Sequence, residues 1–289
     1  MTTRAVKMMK RDPVSVVIPA HNEEAVIQRT LGTLLRTADP GEFEVIVVCN
    51  GCSDGTAEIA ARASSDVVVI DLDEASKTAA LNAGLQAARG RAVILLDADV
   101  ELSTQSARAM AEAVSSPGVE VAIGHMDVDT RGADAIVRAF YRVWMHHPYL
   151  QSGKFAAAIA LSRDGIARIG YIPPVTADDT YLRRLFPRDR VTVVESVRYK
   201  VRAPRTVRSL LRVRSRSYRG TRELSGHTAS AGEYRGEAGG LLRRLLARPA
   251  LWLSVPVYVA VALAARRLSY RNTGVRWERD LTTRTAVPE

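Results

Sequence analysis

Ala92-Val-Ile-Leu-Leu-Asp-Ala-Asp99 is an apolar run that stops at two carboxylates separated by one small side chain. Short stretches rich in Val, Ile and Leu are what a parallel sheet requires, because helices cover its strands on both faces. Three earlier runs share this character: Val14 to Pro19, Phe43 to Cys49 and Val67 to Leu72. Helical patterns lie between them. Ile27, Leu31, Leu34 and Leu35 repeat at helical spacing after Asn22, a candidate N-cap, and Lys77 to Arg89 runs on good helix formers until Gly90. This alternation predicts right-handed crossovers and a doubly wound α/β sheet, mostly parallel and flanked by helices.

In such sheets ligands sit beyond the carboxyl ends of the strands. Those positions hold Pro19-Ala-His-Asn-Glu-Glu24, Asn50-Gly-Cys-Ser-Asp-Gly-Thr56, Asp71 and Asp97-Ala98-Asp99, nearly all polar or acidic. Asp97 and Asp99 can both face a Mg2+ or Mn2+ that already bridges two phosphates, since hard cations prefer oxygen ligands. Lys77 opens the third helix, where an ammonium and free backbone N–H groups can meet diphosphate or base, or simply face solvent. Asn82 and Gly84, further along it, shape either the nucleotide contact or helix packing.

The chain has 289 residues, 47% of them hydrophobic and 25% charged, enough for one sizeable core plus an appendage. Its net charge of +10 is unevenly placed: residues 1–197 hold 21 basic against 25 acidic side chains, and residues 198–289 hold 20 against 6. The basicity therefore belongs to the C-terminal part and suits phosphates. Cys49 and Cys52 are the only cysteines, too few for a structural zinc site, and read as packing residues of a reducing cytoplasm. Met1 to Pro13 is polar and lacks the apolar core of a signal peptide. Residues 226–240 contain five glycines and read as a loop. Ala250 to Ala265 is a 16-residue apolar run with Pro256 inside and arginines at its borders. That is short of the roughly 20 residues of a membrane span, so the expectation is an interfacial or re-entrant segment, with a helix buried against the domain as the alternative. The expected division is a tail 1–13, a catalytic domain 14–222 with halves 14–100 and 101–222, and a basic segment 223–289 carrying the helix 250–265.

The runs Val14-Ser-Val-Val-Ile-Pro-Ala-His-Asn-Glu-Glu24, Asn50-Gly-Cys-Ser-Asp-Gly-Thr56, Lys77-Thr-Ala-Ala-Leu-Asn-Ala-Gly84 and Leu95-Leu-Asp-Ala-Asp99 resemble, in order, the signatures of the family 2 glycosyltransferases, which have the GT-A fold. The resemblance implies an inverting transfer from a nucleotide diphosphate sugar to a hydroxyl acceptor, with Mg2+ or Mn2+. It implies that Pro19, Ala20, Asn22 and Glu23 lie near base and ribose, with Asn50 near the base. Where the family usually has Asp-Asp-Gly-Ser this chain has Cys49-Asn-Gly-Cys52. An amide both accepts and donates, so the base stays open, and Asn50 suits a tight turn equally well. Ala177-Asp-Asp-Thr-Tyr-Leu182 resembles the family's Glu-Asp-x-x-Leu element, which implies Asp179 as the base that takes the acceptor proton, with Asp178 as the alternative. Two acids at a helix start also suit the helix dipole. Arg212 and Arg214, in the Arg-rich run, are similar to an element that closes over diphosphate, although its tryptophan is missing, and the run suits a phospholipid-facing patch equally well. His146 and His147 are acceptor-side candidates or ordinary packing and surface residues.

Two other classes remain as alternatives. A sugar-1-phosphate nucleotidyltransferase shares the core type, but the turn after the first strand has no Gly-rich basic character. A non-catalytic basic phosphate-binding protein matches the charge. Nucleic acid is not an expected partner, because the basic stretch has little aromatic interleaving. Peripheral membrane contact through 241–268, at the inner face of the cell membrane, is the remaining expectation.

Overall fold

The computed structural model describes residues 12–151, 155–225 and 237–271. The apolar runs form β1 (Val14–Ala20), β2 (Phe43–Asn50), β3 (Val67–Leu72) and β4 (Val93–Leu96), linked by α1 (Ile27–Leu34), α2 (Thr56–Ala63) and α3 (Lys77–Ala87). β5 (Glu101–Leu102), α4 (Thr104–Ala113), β6 (Val121–Asp129), α5 (Ala135–Trp144) and α6 (Pro148–Gln151) follow. Then come β7 (Ala158–Leu161), α7 (Arg163–Ile169), α8 (Asp178–Leu185) and β8 (Val191–Arg202). The chain ends in α9 (Val207–Ser225), α10 (Glu237–Leu246), a 3-10 turn (Pro249–Ser254) and α11 (Val255–Arg271).

The eight strands form one sheet in the order β3-β2-β1-β4-β7-β6-β8-β5. β3, β2, β1 and β4 run parallel, whereas β7 is antiparallel to both β4 and β6. Side chains alternate across the strands as the two-residue period demands. Val16 and Ile18 of β1 join the apolar layer under α1, α2, α4 and α5, and Val17 joins the layer under α3, α7 and α8. Ile27, Leu31 and Leu34 make the buried stripe of α1, each contributing about 1.5–3 kcal/mol by leaving water.

Several expectations need correction. Asn22 is no helix cap: it sits at φ 53°, and α1 starts later, after Val26. The third helix is capped by Ser76, whose Oγ accepts from the Ala79 N–H at 3.3 Å, and it ends before Gly90. Gly90 has another reason to be small: a Cβ there would stand 2.5 Å from the Ser15 nitrogen. β3 is the sheet edge and only half buried, with Val68 in solvent. The expected helix 250–265 is also displaced: Pro249–Ser254 is a 3-10 turn and α11 runs beyond the apolar stretch. Pro256 stands in the first turn of α11, where its ring is tolerated, and the helix continues to Arg271. Pro249–Arg271, at 23 residues, is long and apolar enough to cross a membrane by length and composition. The tail up to residue 11, positions 152–154 of the Gly- and Ala-rich stretch and residues 226–236 of the Gly-rich loop lie outside the described residues.

Candidate active site

The carboxyl ends of β1 and β4 open on a cleft of about 550 Å³. Asp97, Ala98 and Asp99 form its floor just beyond β4, and their backbone is pinned from three directions. The Asp97 N–H donates to the Ala157 carbonyl at 2.8 Å, Val100 N–H donates to the Asp97 carbonyl at 3.1 Å, and Thr30 Oγ1 donates to the Ala98 carbonyl at 2.7 Å. With the main chain held in this way, both residues line the cleft.

Lys77, the first residue of α3, joins the two halves of the site. Its Nζ lies 2.8 Å from Asp97 Oδ1 and 3.0 Å from Asp178 Oδ2, with side-chain exposures of 27%, 35% and 15% for Lys77, Asp97 and Asp178. Burial works against the ammonium, but Asp178 and Asp97 outweigh it and hold Lys77 above the usual lysine range. Burial pushes the Asp178 carboxyl up; Lys77 opposes that, while Asp179 and Asp97 add to it. Asp178 and Asp179 occupy the first turn of α8 and both line the cleft. Asp179 Oδ1 accepts from the Thr180 N–H at 2.6 Å. Asn82 sets the approach to α8: its amide donates to the Ile172 carbonyl at 2.8 Å and accepts from the Ile172 N–H at 2.9 Å. Gly84 is a packing glycine, since a Cβ would meet Val17 Cγ1 at 2.2 Å.

Arg214 and Arg216 of α9 line the same cleft. The Arg214 guanidinium lies 5.3 Å from the Trp144 ring centre, 5.6 Å from Tyr218 and 5.9 Å from Phe140, and its Nε is buried without a hydrogen-bond partner. Burial disfavours its charge, but the tyrosines 149, 218 and 141 raise its pKa overall. Arg212 is exposed on the same helix and is absent from the cleft wall.

The expected base pocket divides. Pro19 and Glu23 line the cleft. Ala20 is the wholly buried end of β1, and Asn22 shapes the loop by accepting from the Ser53 N–H at 2.6 Å. Asn50 is wholly buried and donates through Nδ2 to the Ala20 carbonyl at 2.7 Å, tying β2 to β1. His146 meets Arg248 at 3.1 Å, His147 packs on Tyr149, and neither lines the cleft.

Some site residues had no sequence signal. Arg29 and Arg202 flank Glu101 at 3.0 and 3.6 Å, and Arg202 reaches the cleft wall. Burial and Arg202 lower the Arg29 pKa, while Glu101 and Asp99 raise it, so Asp99 lies within this charge network. Tyr199 donates to the Ala156 carbonyl at 3.0 Å; burial and then Asp97 push its phenol up. Only Glu101, directly after the acidic pair, was within reach of sequence reading.

Among the described residues no three His, Cys, Asp or Glu side chains converge as a self-sufficient metal site. Asp97 and Asp99 supply hard oxygen donors, and the Lys77 contact shows that cationic charge is accommodated there. This donor set fits an ion that completes its shell with phosphate oxygens and water.

Comparison with known proteins agrees with this architecture. The profile described as glycosyl transferase family 2 matches residues 15–160, just over half the chain. Glycosyltransferase AglE of Haloferax volcanii is 32% identical over 119 residues, 39% of this chain and 39% of that protein. An undecaprenyl-phosphate 4-deoxy-4-formamido-L-arabinose transferase of Pectobacterium carotovorum is 39% identical over 97 residues, 30% of this chain and 29% of that one. The matched part thus spans well under half of these relatives. Among solved structures, the mannosyltransferase PcManGT of Pyrobaculum calidifontis, in complex with GDP-Man and Mn2+, aligns with TM-score 0.60 at 22% identity over 90% of this chain and 76% of its own. Glucosyl-3-phosphoglycerate synthase of Mycobacterium tuberculosis, with Mn2+, UDP and glucosyl-3-phosphoglycerate, gives 0.54 at 20% identity over 76% and 82%. The chain belongs to glycosyl transferase family 2, a family of enzymes, and has the GT-A fold.

Proposed function

We propose that the protein moves a sugar from a nucleotide diphosphate sugar to an acceptor hydroxyl with inversion at the anomeric carbon. The observation that carries this reading is the shared cleft, in which Asp97, Asp99 and Lys77 face Asp178, Asp179 and Arg214. Asp179, with Asp178 as the alternative, takes the proton of the acceptor hydroxyl as that oxygen bonds to the anomeric carbon. The bond from that carbon to the diphosphate breaks on the opposite face, and the nucleotide leaves with the electron pair. Arg214 faces the developing negative charge, and its aromatic surround fixes the guanidinium in advance. Pro19 and Glu23 hold the nucleoside end, and Asn22 and Asn50 shape the loop around it. Asp97 and Asp99 would hold Mg2+ or Mn2+, which neutralises diphosphate charge when bound. Solved neighbours carry Mn2+ with GDP-Man or UDP, which supports a divalent ion of this kind.

The acceptor fits a lipid-linked or cell-envelope glycan, with a small-molecule acceptor as the alternative. That reading draws on the basic, apolar C-terminal part and on the undecaprenyl-phosphate relatives. It places the protein on the inner face of the cell membrane, in peripheral contact through 241–268. A screen of UDP-, GDP- and dTDP-sugars with and without Mn2+ by thermal shift identifies the donor. Asp99→Ala should lose the metal-dependent shift. Asp179→Asn should keep it and lose turnover by on the order of 100-fold. Full turnover in a folded Asp179→Asn protein removes the assignment.

A further inference from the structure

α11 is apolar on two sides. One stripe, Val261, Ala265 and Ser269, is buried, and Tyr258 beside it stacks on Phe140 with ring centres 5.2 Å apart. The neighbouring stripe, Val259, Leu263 and Tyr270, is 46%, 56% and 59% exposed, and Leu253 in the turn before it is 91% exposed. The outer face of a surface helix is ordinarily polar. Here it is apolar in the middle; along the chain, exposed Arg248 precedes the stretch and exposed Arg266, Arg267 and Arg271 end it.

Between α9 and α11 runs a groove of about 340 Å³ walled by Tyr218, Arg222, Leu263, Arg266, Ser269 and Tyr270. Among the described residues no acidic side chain lines it. Arg222 is held in place: its guanidinium lies 4.3 Å from the Tyr270 ring centre, and Nη2 donates to the Ser269 carbonyl at 2.8 Å. Arg266 supplies a second positive charge on the opposite wall. The groove therefore pairs fixed cations with an adjoining apolar surface, the two requirements of a phospholipid headgroup and the chain region below it.

We propose that the α9–α11 groove is a binding site for the phosphate of an anionic phospholipid, with Pro249–Arg271 lying flat on the bilayer surface. This rests on the peripheral contact proposed above and specifies its chemistry. The helix is long enough to span a bilayer, but its inner stripe is already packed on α5 and α9, which leaves the outer stripe for lipid. A second copy is a poorer occupant, because a two-fold contact across this stripe would set arginines against arginines.

The test is flotation of the full chain with vesicles of phosphatidylcholine alone and of phosphatidylcholine mixed with phosphatidylglycerol. Binding is expected only to the anionic vesicles and should weaken at high salt. Arg266→Gln should bind about fivefold more weakly, the loss of one basic residue near a charged membrane surface. Leu263→Ser should weaken binding too, and both variants should keep the wild-type melting temperature and donor-induced shift. Absence of vesicle binding, equal binding to both compositions, or unchanged affinity in Arg266→Gln overturns the proposal. So does a dimer by light scattering that Leu263→Ser dissociates. The donor shift is read separately, so failure of this site and failure of the transferase reading are distinguishable.

Discussion

Replacing Lys77 by methionine keeps the aliphatic stem and removes the one ammonium that touches both Asp97 and Asp178. The three side chains are neither fully buried nor fully exposed. The loss should therefore fall between the ~0–1 kcal/mol of a surface pair and the ~3–5 kcal/mol of a buried pair left without its partner. About 2 kcal/mol is the expected cost, which for a chain of this size lowers the melting temperature by about 4–8 °C. The deficit has a distinctive remedy. A divalent ion at Asp97 and Asp99 restores positive charge beside the same carboxylates, so Mn2+ should raise the melting temperature of Lys77→Met more than that of the wild type. Differential scanning fluorimetry with Mn2+ and with chelator measures both increments. An unchanged melting temperature, or equal increments in the two proteins, refutes the view that Lys77 neutralises an ion-binding carboxylate cluster.

Asn82→Ala leaves the buried Ile172 N–H and carbonyl without partners and should cost about 2–4 kcal/mol. Turnover should fall while the donor-induced thermal shift persists, because the loosened segment leads to α8; a loss of donor binding instead would contradict this. Glu120 is held below the usual carboxylate range by the hydrogen bond from Arg168, which outweighs its burial. Its folded pKa is depressed, so its contribution is full above the ordinary glutamate value and disappears as pH falls through the folded one. Melting curves of wild type and Glu120→Gln across acid pH should differ at neutrality and converge on acidification; parallel curves would show that the ion pair contributes nothing.

The first four strands were legible because each is a short apolar run ending at a turn, and strand polarity alone then places Asp97 and Asp99 at the cleft. Helix ends were harder. Asn22 has the right chemistry for a cap, but the chain bends there at positive φ to meet Ser53, a contact between segments far apart in sequence. Gly90 reads as a stop signal, yet its smallness answers to β1. The same distinction holds in the site. Asp178 and Asp179 announced themselves as paired acids, while the Arg29–Glu101–Arg202 network depends on how β5 pairs with β8, which no local pattern encodes. Arg212 and Arg214 were indistinguishable in a run of arginines until the rotation of α9 pointed one into the aromatic cluster.

The antiparallel insertion of β7 between β4 and β6 ties the two halves of the cleft together. Its leading residue follows Ala157, whose carbonyl is the anchor for the Asp97 amide and whose own backbone sits at φ 66°. The cleft floor at Asp97 is thereby stitched to the 156–158 seam, and neither can be recontoured alone.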